Sequence, residues 1–251
     1  MFLRKIVQHL RDQNWTAIGI DLLIVILGVF LGAQASNWNE ERQVREGERV
    51  FLQRVRTEMA GDLGDAQGKA VYLGEVLAAA RRTERFIAAG RPCSGNCWPV
   101  LVDFFVASQW QNVAPERGVL DAVRGSIYPY DFDLKRTIIR NYTVIHEGAR
   151  LFEPSEYRSR VRKLIPAGVQ EGLWACNRGF AAFQRVNLAC PATIGDAEAG
   201  RIVERLRADP ALQGELNFNA STVATMTRMT QAWSADTRKL LARVDRKIGK
   251  R

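Results

Sequence analysis

An apolar stretch near the start of the chain limits the possible folds more than any other feature. Residues 22–33 read LLIVILGVFLGA, and tryptophans stand on both sides of them at Trp15 and Trp38. At about 1.5 Å per helical residue these tryptophans lie roughly 34 Å apart, which matches the spacing of the two aromatic belts of a membrane. A buried core helix is the alternative, but an apolar surface on all sides with tryptophan at both ends disfavours it. We therefore predict a transmembrane helix at 15–38.

Four residues predict how this helix packs. Asp21 is costly at mid-bilayer, by about 2.5–3.5 kcal/mol, so we expect it to reach the headgroups or contact another helix. A proton relay is the alternative, although the stretch holds no second ionisable side chain. Gly28 and Gly32 form a GxxxG pair that Ser36 extends by one turn, and small residues on one face let two helices approach closely. The pattern predicts a homodimer formed through the transmembrane helix.

The segment Ala33-Gln34-Ala35 raises the question of whether this helix is kept. It has the small-x-small form of a signal-peptidase site, after a basic start and an apolar core. However, the preceding region is long for a signal peptide, and the residues after Ala35 continue the helical pattern. We expect the anchor to be retained, with cleavage after Ala35 as the alternative.

Four cysteines indicate the compartment of the remainder of the chain. They fall into two local pairs, Cys93 with Cys97 in a CSGNC loop and Cys176 with Cys190. Such pairs are typical of disulfides formed in an oxidising compartment. A zinc site of four thiolates is the alternative, although neither pair has the usual Cys-x2-Cys spacing.

Charge alone does not fix the orientation in the membrane. Three Lys and Arg residues precede the apolar stretch and five follow it between 42 and 56, which opposes a cytoplasmic N-terminus. Long domains translocate largely regardless of charge, so the expected orientation rests on the predicted disulfides. We expect a bacterial inner-membrane protein with a short cytoplasmic N-terminus and a large periplasmic domain.

Helical periodicity continues through the rest of the chain, and no strand-like alternation persists for five positions. We predict an all-α protein with an amphipathic cytoplasmic segment at 1–14, the transmembrane helix at 15–38 and an extracytoplasmic antiparallel helical bundle at 39–251. We also predict separate helices at about 39–63 and 70–89, the second ended by Gly90, and a break at Pro166. A core stripe is predicted at Leu134, Ile138, Tyr142 and Ile145.

The basic residues are concentrated at the C-terminal end. The chain has 36 Lys and Arg against 27 Asp and Glu, a net charge of +9. If an even number of long helices follows the span, the end of the chain returns to the bilayer, where each well-placed cation contributes about 1 kcal/mol on anionic headgroups. A solvated helix end whose cations complement the helix dipole is the alternative. The residues concerned are Arg243, Arg246, Lys247, Lys250 and Arg251.

No motif of a known enzyme chemistry occurs in the sequence. We find no nucleophile elbow, Walker loop, dinucleotide fingerprint, HExxH or Ser-x-x-Lys. His9 and His146 are the two histidines, and neither has a partner at metal-ligand spacing. Asp103 is an isolated acid in an apolar helix, which is a thin basis for catalysis. We predict no catalytic, cofactor-binding or metal-binding residue, and no nucleic acid partner, because the basic residues do not cluster at the start of a helix.

Two segments together resemble a family of uncharacterised bacterial single-pass membrane proteins. The first is LLIVILGVFLGAQASNWNEER, opened by Asp21, in which a Gly-rich apolar helix runs into the Asn-Trp-Asn-Glu motif of Asn37 to Glu40. The second is APERGVLDAVRGSIYPYDFDLKRTIIRNY, in which a small-residue turn joins two helices. The resemblance covers about 60 residues and implies an uncleaved anchor of the single-pass kind. It implies no activity and no site residues. The four cysteines are a departure from the pattern of that family.

These features favour a non-enzymatic envelope protein over an enzyme. We predict a structural, assembly or interaction scaffold that self-associates through its membrane helix and contacts the lipid bilayer and an envelope protein partner. The alternative is an extracytoplasmic ligand-binding or sensor module that acts through a membrane partner. A deep apolar pocket would favour ligand sensing, whereas a flat exposed apolar stripe would favour a partner interface.

Overall fold

The computed structural model describes residues 15–178, 185–187 and 190–249, with the backbone alone at 15–19, 21, 177–178 and 185–186. The amphipathic segment predicted at 1–14 and the last two residues lie outside this range. The described residues belong to two units, the first ending at Phe51 and the second beginning at Leu52.

The described part of the chain is all-helical apart from one short strand pair, which confirms the predicted class. Two strands of two residues, β1 (Asn177–Arg178) and β2 (Arg185–Val186), pair antiparallel. The eight helices are α1 (Trp15–Ala89), α2 (Trp98–Ala107), α3 (Gly118–Gly125), α4 (Phe132–Ala149), α5 (Glu156–Leu164), α6 (Ala167–Ala175), α7 (Asp196–Arg207) and α8 (Leu212–Gly249).

Helix α1 is continuous for 75 residues and differs from the sequence prediction only at the separation expected between residues 63 and 70. We predicted two helices separated near Gly64, but Gly61 and Gly64 lie inside α1. Within the second unit, α1 buries a regular series of apolar side chains, and this burial outweighs the roughly 1 kcal/mol that each glycine costs in a helix. The helix ends where predicted, at Gly90, whose φ is +64°. The buried series is Leu52, Val55, Met59, Ala66, Leu73, Val76 and Ala80.

The core of the second unit is centred on α2. Its first turn contains Pro99, a residue that fits the start of a helix because the N–H it lacks would have no helical partner. Phe104 and Phe105 are completely buried, and Phe86 of α1 packs edge-on against the Phe104 ring at 6.2 Å between centroids. Helix α2 also contacts α5 and α7.

Helices α4 and α8 pack antiparallel. Asp133 near the start of α4 binds Arg243 near the end of α8, and Asn141 further along α4 donates a hydrogen bond to Thr237 at 2.9 Å. Asp131 precedes α4 and accepts a hydrogen bond from the Leu134 N–H, a side-chain N-cap. The predicted stripe of α4 is confirmed, since Leu134, Ile138, Tyr142 and Ile145 are all buried.

The break predicted at Pro166 is also present, between α5 and α6. The Gln170 side chain donates to the carbonyl oxygens of Arg162 and Ile165, each at 2.8 Å. These bonds satisfy carbonyls at the end of α5 that have no partner within the helix.

Candidate functional site

The apolar part of α1 in the first unit is exposed. Every side chain from 22 to 46 is exposed, and α1 is the one helix in the described part of the chain that is long and apolar enough to cross a membrane. At the predicted anchors, Trp38 is exposed, and the Arg42 guanidinium lies 6.0 Å from its ring centroid. The side chains of Trp15 and Asp21 are not among those that the structure describes.

The predicted helix-packing face of α1 is open. Gly28, Gly32 and Ser36 are exposed at successive turns of the helix. A Cβ atom built on either glycine meets no atom within 4 Å. The face is thus free for close approach of another helix, and the dimer stays a prediction.

The four cysteines form the two local pairs that the sequence predicted. The Cα atoms are 5.8 Å apart in Cys93–Cys97 and 5.2 Å apart in Cys176–Cys190, and both pairs are bonded. No group of three or more His, Cys, Asp or Glu side chains in the described residues could hold a metal ion, which disfavours the zinc alternative. Two disulfides fit an oxidising compartment.

Helix α7 holds the CSGNC loop through its carboxylates. Glu204 accepts a hydrogen bond from the Cys93 N–H at 3.0 Å, and Asp196 accepts one from the Cys97 N–H. Burial opposes ionisation of Glu204, but the Cys93 and Arg207 hydrogen bonds prevail and lower its pKa. A cleft of about 870 Å³ lies between the loop and α7, but these carboxylates on its wall are already bound by the loop backbone.

A second depression lies between α4 and α8. It has a volume of about 460 Å³ and carries both cations and apolar side chains, among them Arg140, Lys239 and Leu240. Val144 also lines it and is 61% exposed, so the depression is an open groove. Asp236 neutralises Lys239 at 2.8 Å. The groove does not have the depth and apolar character that would favour ligand sensing.

The basic end of α8 is partly neutralised by α4, which the sequence did not predict. Arg243 binds Asp133 at 2.9 Å, and Lys247 lies 3.5 Å from Asp131. The hydrogen bond from the Leu134 N–H, followed by the charges of Lys247 and Arg243, lowers the pKa of Asp131 against the opposing effect of burial. Arg246 is exposed. Lys250 and Arg251 lie outside the described residues.

Next to these ion pairs, the turn between α3 and α4 and the first residue of α4 expose three large apolar side chains. Ile127 is 67% exposed, Tyr130 51% and Phe132 74%. The sequence predicts only a turn between two helices here. The signal that was available is its composition, because apolar and aromatic residues are unusual at positions that a turn leaves in water.

Asp103, the isolated acid of the sequence analysis, has a partner. The Arg82 guanidinium of α1 donates three hydrogen bonds to its carboxylate at 2.7–3.1 Å. The hydrogen bond to Asp103 raises the pKa of Arg82 despite partial burial. Asp103 is therefore a structural member of an ion pair between α1 and α2.

Asp62 and Tyr142 form a second polar contact that sequence reasoning missed. The Tyr142 hydroxyl donates to the Asp62 carboxylate at 2.8 Å. Burial raises the pKa of Asp62, against the Tyr142 hydrogen bond, and the nearby Asp65 and Glu58 add to the rise. Burial and the Asp62 charge likewise raise the pKa of Tyr142. The pair connects α1 to α4 within the second unit.

Two arginines of α5 meet the end of α2. Arg158 donates to the Ser108 carbonyl at 3.0 Å, and Arg162 donates to the Ser108 hydroxyl at 3.1 Å. Arg162 lies 3.5 Å from the centroid of the Phe105 ring. Burial and the Arg158 charge lower its pKa to about 9, so it remains protonated at neutral pH. Both cations complement the negative end of the α2 dipole.

His146 lies at the edge of the α4 core face. Its Nε2 atom is buried and has no hydrogen-bond partner among the described residues. Burial lowers its pKa, and the charges of Arg117 and Arg150 lower it further.

No family model, no curated protein and no solved structure matches the chain. The structure therefore defines a class only: an all-helical protein with one helix suited to a membrane and two disulfide-bonded cysteine pairs. The family resemblance stays a prediction.

Proposed function

We propose that this chain is a non-enzymatic, single-pass inner-membrane protein that acts as an envelope scaffold or interaction protein. The observation that supports it most is the exposed apolar surface of α1 between Leu22 and Leu31. Water would solvate so large an apolar surface poorly, whereas a bilayer covers it at no cost. The Asn-Trp-Asn-Glu motif follows it within the same helix.

We place the helical domain on the periplasmic side and its short N-terminus in the cytoplasm. Both disulfides support this orientation, because cytoplasmic thiols are kept reduced. We also propose that the domain is an antiparallel helical bundle, which the α4–α8 pair supports.

Self-association through α1 is the part of the proposal that substitutions test directly. In Gly28→Ile/Gly32→Ile, two branched side chains occupy the small-residue face, so cross-linking of the full chain in native membranes should fall several-fold. The matched control is Ala33→Ile, because position 33 lies about 100° around the helix from the centre of that face. Equal cross-linking in all three chains would contradict a dimer through this face.

Membrane anchoring and orientation need a separate measurement. We expect the chain to remain in the membrane fraction after alkaline carbonate washing. Protease added to spheroplasts should digest the part of the chain from Leu52 onward, whereas inside-out vesicles should protect it. Recovery in the soluble cytoplasmic fraction, or protection in spheroplasts, would contradict the proposal.

The second candidate is a ligand-binding or sensor module that acts through a membrane partner, and the open groove between α4 and α8 is the surface that it would use. Its arginines and lysine together with Leu240 suit a small anionic amphiphile. Native mass spectrometry of the purified chain tests this, since a bound small molecule should be lost in Val144→Trp, which fills the groove. An unliganded wild-type chain would argue against it.

A further inference from the structure

We propose that the turn between α3 and α4, together with the C-terminal end of α8, docks on the surface of an anionic lipid bilayer. This inference rests on the proposed membrane anchoring and adds a peripheral contact made by the second unit. We call Ile127, Tyr130 and Phe132 the interfacial patch, and Arg246 with Lys247 its basic flank.

The interfacial patch is large and apolar for an exposed turn. All three side chains are more than half exposed, and the Tyr130 ring packs edge-on against Tyr128 at 5.1 Å between centroids. Lys135 donates a hydrogen bond to the Ser126 carbonyl at 2.5 Å, which ties the start of the turn to α4. The patch is thus presented on an ordered turn.

The charge around the patch is positive. Within 124–136 and 243–249 the chain has six basic and three acidic residues. Arg243 and Lys247 neutralise Asp133 and Asp131, the two carboxylates on either side of Phe132. Acidic residues beside the patch therefore do not repel an anionic surface.

The positions of these residues place patch and cations at one end of the second unit. Because α4 and α8 are antiparallel, the start of α4 lies beside the end of α8. Arg56, close to the first residue of the unit, binds Asp245 at 2.5 Å and neutralises the third carboxylate at this end. At the other end of α4, Leu151 is 81% exposed but is followed closely by Glu153.

A bilayer fits this surface better than a protein does. Aromatic and aliphatic side chains beside Lys and Arg are the composition of the headgroup region, where rings insert and cations contact phosphate. A stable protein interface needs roughly 800 Å² on each partner, which three side chains do not supply. Each well-placed cation strengthens binding to anionic lipid by about fivefold.

The test uses the full chain in nanodiscs made of phosphatidylcholine alone or of equal parts phosphatidylcholine and phosphatidylglycerol. Hydrogen exchange of the backbone amides at 126–134 should be several-fold slower in the anionic discs. Ile127→Ser/Phe132→Ser and Arg246→Gln/Lys247→Gln should each remove most of this difference. Leu151→Ser is the matched control and should keep it, because it removes an equally exposed apolar side chain from the other end of α4.

The outcomes separate this inference from the proposed function. Incorporation of the chain into discs, scored by size exclusion, tests the anchor. If the chain does not incorporate into the discs, binding of the interfacial patch to lipid is measured instead by flotation of the chain with vesicles of the same two compositions. Equal exchange or flotation with both lipids overturns the inference. Slower hydrogen exchange at 126–134 that arises in lipid-free detergent and grows with protein concentration also overturns it. That result would show that the patch contacts a second copy of the chain.

Discussion

At the scale of single residues, Asp62 is a carboxyl group whose surroundings oppose its ionisation. It is half-buried, accepts the Tyr142 hydroxyl, and has Asp65 and Glu58 nearby. Its pKa is raised in the folded state, so the folded chain binds a proton more tightly than the unfolded chain. The free energy of unfolding therefore falls as pH rises from the unfolded value of 3.8 through the raised folded value.

The first prediction concerns Asp62→Asn. The amide oxygen still accepts the Tyr142 hydroxyl, while the charge and its repulsion are removed. We expect the free energy of unfolding at pH 7 to rise by less than about 1 kcal/mol, since solvent screens a half-exposed group. Urea unfolding between pH 4 and pH 7 should also show a flatter pH dependence. Glu84→Gln, at an exposed site on the same helix, should change neither quantity; a loss of stability in Asp62→Asn would refute the argument.

At the scale of elements, the end and the interior of a helix place opposite demands on glycine. Gly90 ends α1 with a φ of +64°, a backbone conformation that a Cβ atom makes costly. Gly64 lies within α1, is exposed, and has no atom within 4 Å of a Cβ built on it. The same substitution should therefore have opposite effects at these positions.

The second prediction follows from this contrast. Gly90→Ala should lower the free energy of unfolding by about 1 kcal/mol, and Gly64→Ala should raise it by about 0.5–1 kcal/mol. Chemical denaturation of the two variants, each compared with the wild-type chain, measures both changes. The argument fails if the changes have the same sign.

The third prediction concerns the two disulfides, which close loops of different length. Their cysteines are 4 and 14 residues apart in sequence. Restricting the unfolded chain contributes about 2 kcal/mol for the short loop and about 3 kcal/mol for the long one. Cys176→Ser/Cys190→Ser should therefore destabilise the second unit more than Cys93→Ser/Cys97→Ser does, as followed by near-ultraviolet circular dichroism in urea. The reverse order would show that native contacts of the CSGNC loop with α7 outweigh loop entropy.

At the scale of the whole molecule, the division into two units predicts that the second unit folds without the first. Among the described side chains, every buried apolar one lies at Leu52 or later, whereas the exposed apolar run of α1 lies before Phe51. The second unit therefore contains a complete core of its own.

The fourth prediction tests this independence. A chain that starts at Leu52 and is exported behind a cleavable signal should be soluble, keep its helical circular dichroism and unfold cooperatively. Its two disulfides should resist alkylation until reductant is added. Aggregation of this shortened chain, or loss of cooperative unfolding, would show that the first unit is needed for the second to fold.

What the sequence alone could determine about this protein is what depends on neighbouring residues. The apolar surface of α1, the break at Pro166, the end at Gly90 and the buried stripe of α4 all follow from patterns within a few residues. The two disulfides also join cysteines that are close in sequence. The continuity of α1 through residues 61–70 was not predictable in this way, because burial of one face in the second unit overrides the three unfavourable glycines there.

What only the tertiary structure decided is how distant residues meet. Arg82 and Asp103 are 21 residues apart, Asp62 and Tyr142 are 80 apart, and Asp133 and Arg243 are 110 apart. Each contact depends on which helix faces lie against one another, and periodicity within a helix carries no information on that. The sequence indicated a basic end on α8. For the same reason, only the fold could place the carboxylates and the exposed apolar side chains beside that end.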